Sequence, residues 1–261
     1  LETALADLHA GQDKILFPSD FTSGKKNIPI NGLIWMGDAN FMGHQISEKL
    51  DQGFRCIKLK IGAIDFDTEF SMLKKLRNEF SSDELEIRVD ANGAFSPAEA
   101  PEKLAKLADL KIHSIEQPIR QGQYEAMADL CMQSIVPIAL DEELIGINKR
   151  EDKIKVLLSI LPDFIILKPS LHGGIAGCTE WIEIAESLNI AWWVTSALES
   201  NIGLNAIAQW TATLNNKLPQ GLGTGKLFTN NIPSPLEISN GELFYNKDKS
   251  WDLSYFSDEL S

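Results

Sequence analysis

Apolar and polar positions along this chain follow two alternating patterns. From residue 28 onward, short β-rich runs are separated by longer segments whose apolar residues recur every three to four positions. The short runs are IPINGLIWMG (28–37), RCIKLKIG (55–62), LEIRVDANG (85–93), IHSIEQPI (112–119), VPIALDEEL (136–144), FIILKPS (164–170), AWWVTSALES (191–200) and GLGTG (221–225). Between them, DFDTEFSMLKKLRNEF (65–80), SPAEAPEKLAKLADL (96–110) and GIAGCTEWIEIAESLN (174–189) read as amphipathic helices. Strands spaced one βα unit apart predict a parallel sheet with crossover helices. The span of about 200 residues from first strand to last suits a modified (β/α) barrel of the TIM type, for which about 250 residues is usual. An open doubly wound sheet is the competing architecture.

The two ends differ from this middle. Residues 1–27 comprise the end of a helix, LETALADLHAG, and a linker bearing Gly, Lys and Pro. A helix that begins at Leu1 without a capping residue leads us to expect further sequence upstream. Residues 227–261 lose the helical period and carry turn signals at Pro233, Pro235 and SNG. The expected division is therefore the remnant of a second domain over 1–27, the barrel over 28–226, and a tail over 227–261 that leaves the barrel to rejoin that second domain.

Composition narrows the partners. A net charge of −13 argues against a nucleic-acid or anionic-membrane surface and for small molecules or cations. No apolar run reaches the length of a membrane span, and no signal-peptide pattern opens the chain. Cys56, Cys131 and Cys178 are odd in number, widely spaced and set among apolar residues, as reduced core thiols in a cytoplasmic protein would be.

The candidate chemistry lies at the strand ends, the functional face of a (β/α) barrel. The third run closes in Asp90 and Asn92, the fourth in Glu116, the fifth in Asp141 followed by Glu142 and Glu143, and the sixth in Lys168; the second carries Lys58 and Lys60. Taken singly, each carboxylate reads as a cap on the following helix. Taken together, Asp90, Glu116 and Asp141 are expected at one level of the barrel, where like charges need a cation. Oxygen ligands without a His or Cys cluster favour Mg²⁺ over zinc, with Mn²⁺ as an alternative. Lys58 and Lys60 by themselves mark only a solvated edge strand. With Lys168 opposite and a cation between, one of the three lysines is expected to be neutral and to act as a general base. Such a set suits removal of a proton α to a carboxylate, with the metal stabilising the enediolate.

The motifs KLK (58–60), VDANG (89–93), IEQP (115–118), ALDEE (139–143) and ILKPSLHGG (166–174) resemble, in order, those of the enolase superfamily and its muconate-lactonizing subgroup. That superfamily's chemistry, a Lys or His base with Mg²⁺ at an ene-diolate, is a standard example of such catalysis. The resemblance implies that Asp90, Glu116 and Asp141 ligate Mg²⁺, that Lys60 is the acid/base, that Lys58 supports it and that Lys168 faces the other side of a small carboxylate substrate. LKPS and TSALES (195–200) are most similar to the subgroup's dehydrating synthases of menaquinone biosynthesis, which implies a syn dehydration through an enediolate. On that reading Asn92, Ser196, Ser200, Gly223 and Thr224 contact the substrate. The alternatives are a cycloisomerase, or an N-acylamino acid or dipeptide racemase, of the same superfamily. The dipeptide epimerases' Asp-x-Asp after the last strand is missing from GLGTGKLF (221–228), which weakens that choice. Outside the superfamily stand a Schiff-base enzyme using Lys168 and a barrel that binds metal without activity. The resemblance also implies an N-terminal α+β capping domain, of which 1–10 would be the last helix. Without it Leu243, Phe244, Tyr245 and Trp251 of the tail are expected to be exposed.

Other features carry less. His9, His44, His113 and His172 fall into no metal spacing, and His172 is expected at the surface or behind the site. GLGTGK fails the phosphate-loop pattern. Of Trp192 and Trp193, adjacent on one strand, one is expected inside the barrel and one against the helices.

Overall fold

A computed structural model describes residues 1–254. Eight helices and ten strands run α1 (Glu2–Ala10), β1 (Ile28–Pro29), β2 (Gly32–Ile34), α2 (Ala39–Asp51), β3 (Cys56–Lys60), α3 (Phe66–Glu79), β4 (Glu86–Asp90), α4 (Ala100–Asp109), β5 (Ser114–Glu116) and α5 (Tyr124–Gln133). There follow β6 (Ile138–Leu140), α6 (Arg150–Ile160), β7 (Phe164–Leu167), α7 (Gly174–Ser187), β8 (Ala191–Val194), α8 (Asn201–Thr213), β9 (Leu236–Ser239) and β10 (Glu242–Tyr245). Strands β2 to β8 form one parallel sheet in chain order, curled as in the TIM-type barrel expected.

The eighth strand expected at GLGTG does not form. Its place is taken by single bridges, Ile30 to Gln220 and Thr195 to Gly221, which join the two edges of the curl, while Gly223–Lys226 form a 3₁₀ turn. Pro219 supplies no N–H to a ladder. The segment also approaches β8 so closely that a Cβ on Gly221 would collide with the Thr195 side chain.

Strand alternation sorts the core into two parts. Ile57, Leu59, Val89, Ile115, Leu140, Ile165, Leu167, Trp192 and Val194 face outward and pack with helix residues such as Leu73, Leu104, Leu107, Leu157 and Trp181. Inside the curl a smaller apolar group, Ala139, Ile166 and Trp193 with Phe164 and Leu218, fills the lower part of the barrel. The two tryptophans thus divide as the alternation predicts. Arg88 stacks on Trp193 from within, its guanidinium carbon 4.2 Å from the ring centre.

The ends pack onto this barrel. Glu2 of α1 accepts hydrogen bonds from the N–H groups of Ile175 (2.7 Å) and Ala176 (3.1 Å), closing the first turn of α7. Strands β9 and β10 form a hairpin about Asn240-Gly241, both at positive φ, the turn that an Asn-Gly pair favours. β10 pairs antiparallel with β1, so the first predicted run splits between this small sheet and the barrel. Contrary to expectation, Leu243 and Tyr245 are buried and Phe244 and Trp251 half-buried; Tyr245 meets Phe21 edge-on at 6.1 Å. Alternation in β10 turns Leu243 and Tyr245 to the same covered face. Residues 255–261 of the expected tail lie outside the described residues.

All three cysteines are free, Cys56 and Cys178 buried and Cys131 half-buried. Burial pushes the thiols of Cys131 and Cys178 up to about 12, so neither is a ready nucleophile. Among the described residues no helix is long and apolar enough to cross a membrane.

Candidate active site

The inward face of β3 carries Lys58 and Lys60, and parallel register carries their level around the sheet. Lys60 lies opposite Asp90, and Asp90 opposite Glu116. Glu116 in turn faces Ala139, so Asp141 sits one inward step beyond. The single level expected from the sequence is therefore stepped, as the stagger of a curled sheet requires. Lys58 Nζ donates to Asp90 Oδ2 (3.0 Å) and Glu116 Oε2 (2.7 Å). Lys60 Nζ donates to the same Asp90 oxygen (2.8 Å) and to Asn92 Oδ1 (2.7 Å), and Lys168 Nζ pairs with Asp141 Oδ2.

Burial sets the electrostatics. Asp90, Glu116 and Asp141 are all shut off from solvent. Burial alone would raise the Asp90 carboxyl, but Lys58 and Lys60 outweigh it and hold the group well below the usual carboxylate range. Glu116 is pushed well above that range by burial and by the Asp90 charge, against the pull of Lys58. Lys58 and Lys168, each beside carboxylates, are raised above their ordinary values. Burial lowers each, yet Asp90 and Glu116 raise Lys58 above its ordinary value, and Asp141 and Glu116 do the same for Lys168. Ion pairs at hydrogen-bond distance exceed the desolvation penalty.

The donor set fits a hard divalent cation. Three buried carboxylates converge from adjacent strands, and Asp141 Oδ1 is a buried oxygen with no hydrogen-bond partner among the described residues. As the side chains stand, no three His, Cys, Asp or Glu among the described residues share one point, for Lys58 bridges Asp90 and Glu116 while Lys168 takes Asp141.

A layer of buried polar groups holds these residues in place. Gln117, directly after Glu116, adopts φ 42° and is fully buried. Its Oε1 accepts from the N–H groups of Asp141 and Glu143 (3.3 Å each), and its Nε2 donates to Ile119 O (3.0 Å) and Glu143 Oε2 (3.1 Å). Glu143 in turn accepts from Gly122 N–H at 2.7 Å. His172 lies behind the site, where its Nδ1 accepts from the Lys168 N–H at 2.9 Å. That bond places the imidazole proton on Nε2, and burial pushes the ring down to about 4, so it is neutral near pH 7.

Above these groups opens a cavity of about 320 Å³. Lys58, Lys60, Asp90, Glu116 and Lys168 line one part of it, and Ser196, Gly223 and Thr224 another. The Ser196 and Thr224 hydroxyls bond to each other. Asn92 is exposed and ties Lys60 to Glu142, its Nδ2 donating to Glu142 Oε1 at 2.8 Å. Ser200, expected in the site, is exposed at the start of α8 and does not line the cavity, because the chain turns away after Leu198 to enter that helix. The sequence reading missed Asn31, Leu33 and Trp35, which line the wall from the first strand. Their alternate spacing in NGLIW was the signal that could have found them.

Residues 42–247 match the family model described as enolase C-terminal domain-like. The o-succinylbenzoate synthase of Desulfotalea psychrophila is 58% identical over 243 residues, covering 93% of this chain. The chain spans 66% of that relative's length. A crystal structure of MenC from Desulfotalea psychrophila LSv54 superposes with a TM-score of 0.86 at 56% identity, over 92% of this chain and 66% of that one. Muconate cycloisomerase from Pseudomonas fluorescens gives a TM-score of 0.82 at 26% identity, over 98% of this chain and 72% of that one.

Proposed function

The chain belongs to the enolase C-terminal domain-like family, and from that premise we propose that it carries the barrel chemistry of an o-succinylbenzoate synthase. The observation that carries the reading is the geometry of Lys58, Lys60, Asp90 and Glu116 with Lys168 around one cavity, in a chain 58% identical to such a synthase. The reaction is a syn dehydration of 2-succinyl-6-hydroxy-2,4-cyclohexadiene-1-carboxylate in menaquinone biosynthesis, and we assign the chain to the cytoplasm.

In this reading Lys60 Nζ takes the α-proton, and the electron pair moves into the carboxylate as an enediolate. The enediolate then collapses to expel the ring hydroxyl, which leaves as water with the proton that Lys60 returns on the same face. Lys58, held by Asp90 and Glu116, keeps a positive charge beside that base. Lys168 faces the planar anion from its other side and stabilises it electrostatically. Asp90, Glu116 and Asp141 would hold Mg²⁺, or Mn²⁺, whose contribution is to neutralise the enediolate. Ser196, Gly223 and Thr224 shape the wall near the succinyl arm.

The test is formation of o-succinylbenzoate from the cyclohexadiene precursor, with Mg²⁺ and after EDTA treatment. It is run for this chain and for the same chain preceded by the N-terminal part of the Desulfotalea relative, each with Lys60→Ala. Product formed with Mg²⁺ and abolished by Lys60→Ala is expected; absence of product in both contexts overturns the assignment. A second reading, a cycloisomerase or racemase, is favoured by Lys60 and Lys168 lining one cavity. α-Proton exchange into D₂O without loss of water would select it.

A further inference from the structure

Five side-chain amides are buried among the described residues: Asn31, Gln117, Asn205, Gln209 and Gln220. Four are satisfied within the fold. Gln117 holds the strand-end network described above. Asn205 donates to Lys14 O at 2.9 Å, and Gln209 donates to the same oxygen (2.8 Å) and accepts from Leu16 N–H (2.8 Å). Gln220 accepts from Val194 N–H (2.7 Å) and donates to Leu218 O (2.6 Å). Asn31 is the exception. Only its backbone is engaged, the N–H donating to Gln220 O at 3.0 Å, and its carboxamide has no hydrogen-bond partner among the described residues.

This group is 5% exposed and lines the cavity. Leu33 lies level with Lys58, so Asn31 sits one inward step beneath the lysines, at the cavity floor. The Ser196 and Thr224 hydroxyls are bonded to each other, and Thr195 Oγ1 donates to Gly221 O at 2.9 Å. The carboxamide spends none of its hydrogen-bonding capacity among the described residues and lines the cavity, so a ligand oxygen there gains a donor that none of them competes for.

We propose that Asn31 is a specificity-determining residue, whose carboxamide N–H donates to a carbonyl oxygen on the arm of the substrate that takes no part in the proton transfers. This rests on the synthase reading, where that arm is the succinyl group. Its ketone and its terminal carboxylate both present such an oxygen.

The test measures dissociation constants by calorimetry, in Mg²⁺, for o-succinylbenzoate, for 2-butyrylbenzoate (ketone only), for 2-(3-carboxypropyl)benzoate (carboxylate only) and for benzoate. Asn31→Leu is expected to weaken o-succinylbenzoate about tenfold and to leave benzoate within about twofold. The single-feature analogue that also weakens identifies which oxygen is bound. Asn31→Asp, of nearly the same shape, replaces the donor with an acceptor and is expected to weaken o-succinylbenzoate further, which guards against a folding defect in the leucine variant. Equal weakening of benzoate, or no weakening of any ligand, overturns the role of Asn31 while precursor dehydration by the wild type upholds the synthase reading. A wild type that neither dehydrates the precursor nor binds o-succinylbenzoate overturns both.

Discussion

The two faces of the same strands make opposite use of burial. On β3, Ile57 and Leu59 face outward into the helical shell, while Lys58 and Lys60 face inward onto Asp90 and Glu116. The outer face is apolar and held by area removed from water. The inner face sets three buried carboxylates against three half-buried ammonium groups, which a purely structural core would replace with hydrocarbon at little cost. Stability therefore resides chiefly outside the barrel wall and chemistry inside it, with a one-residue shift along a strand separating the two.

Substitutions of adjacent residues test that separation. On the proposed synthase reading, Lys60→Ala is expected to lower kcat for dehydration about 10³–10⁴-fold, with the thermal midpoint little changed, as steady-state kinetics and a melting curve would show. A matching loss of fold stability would break the comparison. Leu59→Ala, one residue away, is expected to cost about 3 kcal/mol in urea unfolding while kcat of the folded protein stays within a few-fold.

A change of pH probes the buried layer between the two faces. The His172 imidazole, pushed down to about 4 by burial, binds a proton in the unfolded chain at a higher pH than in the folded one. Its contribution is complete above the unfolded value near 6.5 and is lost as pH falls toward 4, amounting to about 3 kcal/mol. Unfolding measured at intervals between those pH values should show this slope, and His172→Asn should flatten it.

The smallest effect is expected at Gln117. Gln117→Leu removes the acceptor for the Asp141 N–H and should weaken Mg²⁺ binding about tenfold by calorimetry. Unchanged affinity with lowered stability would make Gln117 a packing residue only.

How legible a feature was depended on how local its cause was. Lys58, Lys60, Asp90, Glu116, Asp141 and Lys168 stood out because a charge at the end of an apolar run has few structural uses. His172 was noticed in the sequence, but its bond to the Lys168 N–H was visible only in the folded turn. Asn31, Leu33 and Trp35 went unread because their run is shared between two sheets, and only the pairing of β1 with β10 shows where the barrel strand begins. Ser200 was carried into the site with the rest of TSALES by resemblance, whereas the chain bends into α8 there and Ser200 does not line the cavity.

By itself, the sequence determined the alternation of strand and helix, the inward side of each strand and the kinds of charge gathered there, because these follow from periods of two and 3.6 residues along one chain. Tertiary structure decided what depends on distant residues meeting. It stepped Asp141 beyond Glu116, closed the curl through Gln220 and Gly221 instead of an eighth strand, and buried Leu243 and Tyr245 in the tail's small sheet. It also raised Lys58 and Lys168 through ion pairs where burial alone would lower them, since a charge responds to neighbours in space and not to neighbours in sequence.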